Sequence, residues 1–102
     1  MNKRPPLYRS GDIVLYKHRV TVVDYTPVKI VTFLGWDVNG ESWYIVVDER
    51  RVLTGMSEDW LKSADSLTAK QIDRLTDVKP RDEQLASLIV SVPDRYRLTR
   101  ES

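Results

Sequence analysis

Nucleophilic catalysis needs a serine, threonine or cysteine beside a base, and this sequence offers one histidine, His18, and no cysteine. His18 lies in Lys17-His18-Arg19, between two β-rich runs, where a solvated turn position explains it without an acid–base role. The neighbouring carboxylates Asp48/Glu49 and Glu58/Asp59 are poor candidates for paired acid–base work, because adjacent side chains point apart on a strand or helix. The four glycines, Gly11, Gly35, Gly40 and Gly55, compose no phosphate-cradling motif. A single histidine without cysteine also argues against zinc. The expectation is a non-enzyme with no catalytic residue, no cofactor and no metal site.

Aromatic side chains are the next candidates. Tyr16, Tyr25, Trp36, Trp43, Tyr44 and Trp60 crowd the first sixty residues, with Phe33 among them. Such rings serve as platforms for peptides, bases or cations. They also close the ends of small cores, and Trp36, Trp43 and Trp60 are read that way. Tyr16 and Tyr44 are expected to face outward and to be the protein- or peptide-binding aromatics.

Charge is segregated behind a net value of +1. Residues 1–30 carry six basic and two acidic side chains, residues 31–60 two and six, and residues 61–102 eight and seven. Lys3, Arg4, Arg9, Lys17, Arg19 and Lys29 therefore make a candidate nucleic-acid surface. The acidic middle third restricts any such binding to one face.

These residues need elements to hold them. The chain has 102 residues, 41% apolar and 30% charged, which suits one small folded domain. The longest apolar run, Trp43-Tyr44-Ile45-Val46-Val47, is far short of the ~20 residues a spanning helix needs, so no membrane association is expected. No apolar stretch follows the basic N-terminus, and a cytoplasmic location is expected. Strands are expected over Ile13–Tyr16, Val20–Tyr25, Val28–Val38, Glu41–Asp48 and Val52–Thr54, with Thr26-Pro27 as a break. Asn39-Gly40 reads as a two-residue type I′ hairpin turn. That register sets Trp36 against Trp43 and Leu34 against Ile45 on the core face, leaving Gly35 against Tyr44 on the other.

Ser57-Glu58-Asp59-Trp60-Leu61 looks like one capped helical turn. Beyond it the period changes to 3.6. Thr68-Ala69-Lys70-Gln71 fits a capping box, and Ile72, Leu75 and Val78 continue as an apolar stripe. Pro80 can open a second helix, Leu85, Leu88, Ile89 and Val92 form its apolar face, and Pro93 is expected to end it. The organisation expected is a flexible basic arm (1–10), a barrel (11–65), a two-helix appendage (66–92) and a polar tail (93–102).

Gly11-Asp12-Ile13-Val14, the Asn-Gly hairpin, a short strand and the Ser57–Leu61 turn together resemble the SH3-like small β-barrels, in their Tudor-like and KOW-like forms. The likeness covers roughly residues 7 to 65. It implies an α+β, mainly β fold, a five-stranded SH3-like barrel followed by a short helical pair. It also implies a non-catalytic module that binds protein, peptide or nucleic acid. The leading expectation is an adaptor or regulatory subunit that binds another protein or a second copy of itself. Tyr16, Tyr44 and the helical face Leu85, Leu88, Ile89 and Val92 are its contact residues, unless that face packs on the chain's own barrel. Nucleic-acid binding through the basic N-terminal surface is the alternative.

Overall fold

A computed structural model describes residues 3–17, 25–64 and 67–100. Five strands, β1 (Ile13–Lys17), β2 (Tyr25–Trp36), β3 (Ser42–Val47), β4 (Leu53–Ser57) and β5 (Leu61–Ser63), form one antiparallel sheet in the order β4-β3-β2-β1-β5. A 3-10 turn, Glu58–Trp60, joins β4 to β5, and two helices follow, α1 (Ala69–Thr76) and α2 (Asp82–Tyr96). The fold is α+β and mainly β.

The strands differ from expectation at Thr26-Pro27 and in β5. Thr26-Pro27 does not break the chain. Pro27 lies inside β2 opposite Leu15, in a stretch that pairs with β1 before the β3 ladder begins at Lys29, so only one side of the strand needs a donor. The expected strand residues Val20–Asp24 lie outside the described residues. The short β5, which follows the 3-10 turn, is the strand that periodicity does not reveal.

The β2–β3 turn is wider than the expected two residues. The Gly40 N–H donates to the Asp37 carbonyl at 3.0 Å, and the Asp37 N–H to the Glu41 carbonyl at 3.0 Å. Asp37 Oδ1 accepts from the N–H groups of Asn39 (2.8 Å) and Glu41 (3.1 Å). An Asp at the first position and a left-handed Gly40 (φ 78°) at the fourth make a type I turn with a bulge, which satisfies more donors than the tighter alternative. The register moves accordingly: Trp36 faces Ser42, and Gly35 faces Trp43. Two bulges in β2, at Val31 and Leu34, shift the pairing again and bend the strand.

Both faces of this sheet are covered. Val14, Val28, Ile30, Tyr44, Val46, Met56 and Leu61 form an inner cluster. Leu34, Ile45, Val47 and Leu53 lie on the other face and meet Leu75 of α1, Val92 of α2 and Val78 from the connection between them. The α1 capping box is present, with the Gln71 N–H donating to Thr68 Oγ1 (3.2 Å) and the Thr68 N–H to Gln71 Oε1 (2.9 Å). Ile72, expected in the α1 stripe, is 40% exposed. Arg81 precedes the first turn of α2, so Pro80 stands just outside the helix.

Pro93 does not stop α2, which runs one further turn to Tyr96 before Arg97 closes it in the left-handed conformation. The Leu98 N–H bonds to the Pro93 carbonyl at 2.9 Å. So close to the helix end, the N–H that proline lacks costs one bond rather than the helix.

Chain beyond both ends of the sheet is tied to Trp36. Its backbone exchanges two 2.8 Å hydrogen bonds with Thr99, and its indole N–H donates to the Arg4 carbonyl at 2.7 Å. The same carbonyl accepts from Ser42 Oγ (3.1 Å), and the Arg4 N–H donates to the Gly40 carbonyl (2.9 Å). Residues 4–8, within the segment expected as a basic arm, are docked here through the N–H groups of Arg4, Leu7 and Tyr8. A side chain at Gly35 (φ 133°) would overlap the Thr99 carbonyl, so glycine is needed there for both conformation and space. Gly11 (φ 96°) has open space around it. Gly35→Ala should therefore cost more than about 2 kcal/mol and Gly11→Ala about 1 kcal/mol, read from urea unfolding of each variant. Equal costs would contradict the Thr99 contact.

Candidate protein-interaction groove

β4 reads Leu53-Thr54-Gly55-Met56-Ser57 and lies at one edge of the sheet. Leu53 and Gly55 turn to the helical layer, and Met56 to the inner cluster. Gly55 lies directly under Val92, whose methyl carbons would be 2.8 Å from a Cβ at that position. The bare glycine lets α2 settle close to the strand, and Tyr96, one turn on from Val92, then reaches the sheet edge.

There Tyr96 stacks on Trp43, with ring centroids 4.4 Å apart and planes inclined by 31°. The Trp43 indole N–H donates to Asp37 Oδ2 at 2.9 Å, which holds the ring from behind. Ser57 caps the 3-10 turn through the Asp59 N–H (3.3 Å) and so sets the position of Trp60. Tyr16 on β1 completes the enclosure. The result is a groove of about 220 Å³ along Thr54–Ser57, walled by Tyr16, Trp43, Trp60 and Tyr96. A second hollow of about 220 Å³ shares Tyr16, Thr54 and Met56 and adds Val28 and Val46. Larger hollows of about 800 Å³ beside the start of α2 and about 470 Å³ beside α1 have mainly polar and charged linings without aromatic rings. The aromatic groove is the better contact surface because Trp60 and Tyr96, at 40% and 42% exposure, still have large apolar area to bury.

Carboxylates stand behind these rings, each with a structural partner. Glu58 Oε1 accepts from the Tyr44 hydroxyl (2.6 Å) and the Leu7 N–H (3.1 Å). Burial, and then Glu58, push the Tyr44 hydroxyl well above the ordinary tyrosine range. Glu41 Oε2 accepts from Ser57 Oγ at 3.0 Å. A hydrogen bond with the Asp59 carboxyl, and then burial, raise the pKa of Glu41 above the usual carboxylate value. Burial would raise Asp37 also, but the Trp43 indole, the Glu41 and Asn39 N–H groups and the Arg4 charge outweigh it and hold Asp37 low. The Arg4–Glu41 pair, at 3.4 Å with Arg4 63% exposed, adds little to stability.

Of the residues expected to contact a partner, Tyr16 lies in the groove. Tyr44 does not: it lies on the face opposite Ile45, as expected, but that face is covered by the inner cluster, and Tyr44 is fully buried. Leu85, Leu88, Ile89 and Val92 pack against the outer sheet cluster, so that helical face is occupied within the chain. The expected basic surface is dispersed. Lys29 Nζ donates to the carbonyls of Thr76 (3.1 Å) and Val78 (2.6 Å) and secures the end of α1. Lys3 lies over the Trp36 ring, 5.1 Å from its centroid, and Arg4 pairs with Glu41. The Arg9 backbone N–H closes a turn on Asp12 Oδ2 at 2.9 Å, and Lys17 ends β1. Arg19 and His18 lie outside the described residues.

Trp60, expected in the core, is a groove wall. Tyr96 is the residue that sequence reasoning misses, although its i+4 spacing from Val92 continues the α2 stripe once Pro93 is not taken as a stop. Among the described residues no group of three or more His, Asp or Glu is placed to hold a metal, and no helix is long and apolar enough to cross a membrane. No family model, curated protein or solved structure matches this chain.

The Asp37 carboxylate gives a stability test with a definite sign. Its folded pKa lies below the unfolded value, so its contribution is present above the ordinary aspartate pKa and is lost as pH falls through the depressed one. Glu41 acts oppositely, its folded preference for the proton weakening the fold as pH rises through its raised value. Asp37→Ala should lower stability by about 2 kcal/mol at neutral pH, since it orphans the Trp43 indole and two turn N–H groups. It should also flatten the acid limb of stability against pH, measured by urea unfolding in buffers of decreasing pH. An acid limb as steep as that of the unmodified protein would contradict the assignment.

Proposed function

We propose that this protein is a non-catalytic interaction module, an adaptor or regulatory subunit that binds another protein along the β4 edge. The observation that carries the reading is the groove itself: exposed aromatic rings from the 3-10 turn and α2 flank a strand edge that has no paired neighbour among the described residues. Rigid, half-exposed Trp and Tyr side chains supply most of the energy at protein contacts. A strand edge offers an extended segment main-chain hydrogen bonds.

The proposal includes an SH3-like small barrel as the scaffold. Supporting it are the strand order β4-β3-β2-β1-β5, the bent β2 and the 3-10 turn between β4 and β5. The non-catalytic reading is supported by the groove's chemistry. Ser57 Oγ is engaged with Glu41, and Glu58, Glu41 and Asp37 each accept structural hydrogen bonds. Nucleic-acid binding through the basic residues is less favoured, because Lys29 is committed to α1 and the rings lie among carboxylates.

Selection of phage-displayed random peptides on the full chain tests the proposal. Selected peptides should bind Trp60→Ala and Tyr96→Ala at least about tenfold more weakly, as expected of aromatic contact residues. Peptides that bind both variants as well as the unmodified chain would overturn the groove as the site. Salt-sensitive retention on single-stranded DNA, lost in Lys17→Glu, would favour the alternative.

A further inference from the structure

We infer that the occupant of the β4 edge is a second copy of this chain, paired antiparallel through β4 about a two-fold axis at Gly55. The inference rests on the reading of β4 as the contact edge and names the partner.

The hydrogen-bond pattern sets which backbone groups are on offer. The β3–β4 hairpin closes with the Asp48 N–H donating to the Val52 carbonyl at 3.2 Å. Antiparallel pairs alternate along the ladder, so Thr54 and Met56 exchange bonds with Val46 and Tyr44. Leu53, Gly55 and Ser57 then present their N–H and C=O groups outward. Among the described residues Gly55 receives no hydrogen bond from that side.

These three residues are spaced for self-pairing. With Gly55 on the axis, Leu53 meets Ser57 of the other copy, Gly55 meets Gly55, and Ser57 meets Leu53. All are outward-facing positions, and together they give about six main-chain bonds.

Charge points the same way. Arg50-Arg51 precede β4, and Glu58-Asp59 follow it. Pairing through β4 brings the Arg50-Arg51 turn of each copy to the Glu58–Trp60 turn of the other, setting two basic residues against two carboxylates and an exposed indole, twice by symmetry. Arg50, Arg51, Asp59 and Trp60 are all exposed in the single chain, although the Asp59 carboxyl also bonds Glu41.

The two sheet edges also differ in protection. β5, at the far edge, is three residues long and carries Lys62, whose Nζ lies 4.9 Å from the Tyr25 ring centroid. Short length and lysine are common guards against edge pairing. β4 has five residues, no proline, no charge and an unbroken ladder with β3.

Sedimentation velocity of the full chain over a concentration series tests the inference, with Arg51→Asp, Asp59→Arg and the double variant. Asp suits the left-handed conformation of position 51 (φ 65°), and near-UV circular dichroism checks that each variant is folded. The unmodified chain should dimerise with concentration. Each single variant, which sets like charges together twice, should dimerise roughly tenfold more weakly or worse. The double variant, with the charges exchanged, should regain most of the lost affinity. A dimer that is indifferent to the variants, or a double variant no better than the singles, overturns the pairing. A chain that stays monomeric while its selected peptides still depend on Trp60 overturns the second copy and leaves the interaction module standing. A monomer without such peptides removes both.

Discussion

Four consecutive residues of β3, Tyr44, Ile45, Val46 and Val47, are almost completely withdrawn from water. Successive side chains on a strand point to opposite faces, so a strand buried at every position needs a layer on each side. The inner layer is the sheet curling over itself, which the two bulges in β2 permit. The outer layer has to come from elsewhere in the chain, and α1, α2 and their connection supply it through Leu75, Val92 and Val78. The helices are therefore part of the core, and their placement follows from the burial of β3.

That placement creates the candidate site. Gly55 lets Val92 approach, α2 continues past Pro93, and Tyr96 arrives on Trp43. The 3-10 turn brings Trp60 to the other wall. No single element owns the groove: it draws on the sheet, the turn and the last helical turn. The chain that follows α2 returns to pair with the Trp36 backbone, while the Arg4 carbonyl accepts from the Trp36 indole. These contacts anchor the sheet end from which Asp37 reaches Trp43.

Much of this was legible in the sequence. The capping box at Thr68, the capped turn at Ser57 and the apolar stripe of α2 are local features with local causes. The β3 run was visible too, as the longest apolar stretch, and an unbroken run signals burial on both faces more strongly than alternation does. Treating it as alternating placed Tyr44 outside. The register was harder to read, because it depended on whether Asn39-Gly40 alone or Asp37 with Gly40 formed the turn. The Asp37 side chain decided this through bonds that composition does not display. The site was the least legible part, since Tyr96 and Trp60 acquire their role from the packing of α2 on Gly55, a contact between residues far apart in sequence.

Native-state hydrogen exchange on dilute full-length protein tests most directly whether the helices belong to the fold or are held out for a partner. The account predicts that the amides of α2 through Val92 open only with the global unfolding of β2 and β3, at the same free energy. Rapid exchange throughout α2 while β2 and β3 stay protected would contradict it.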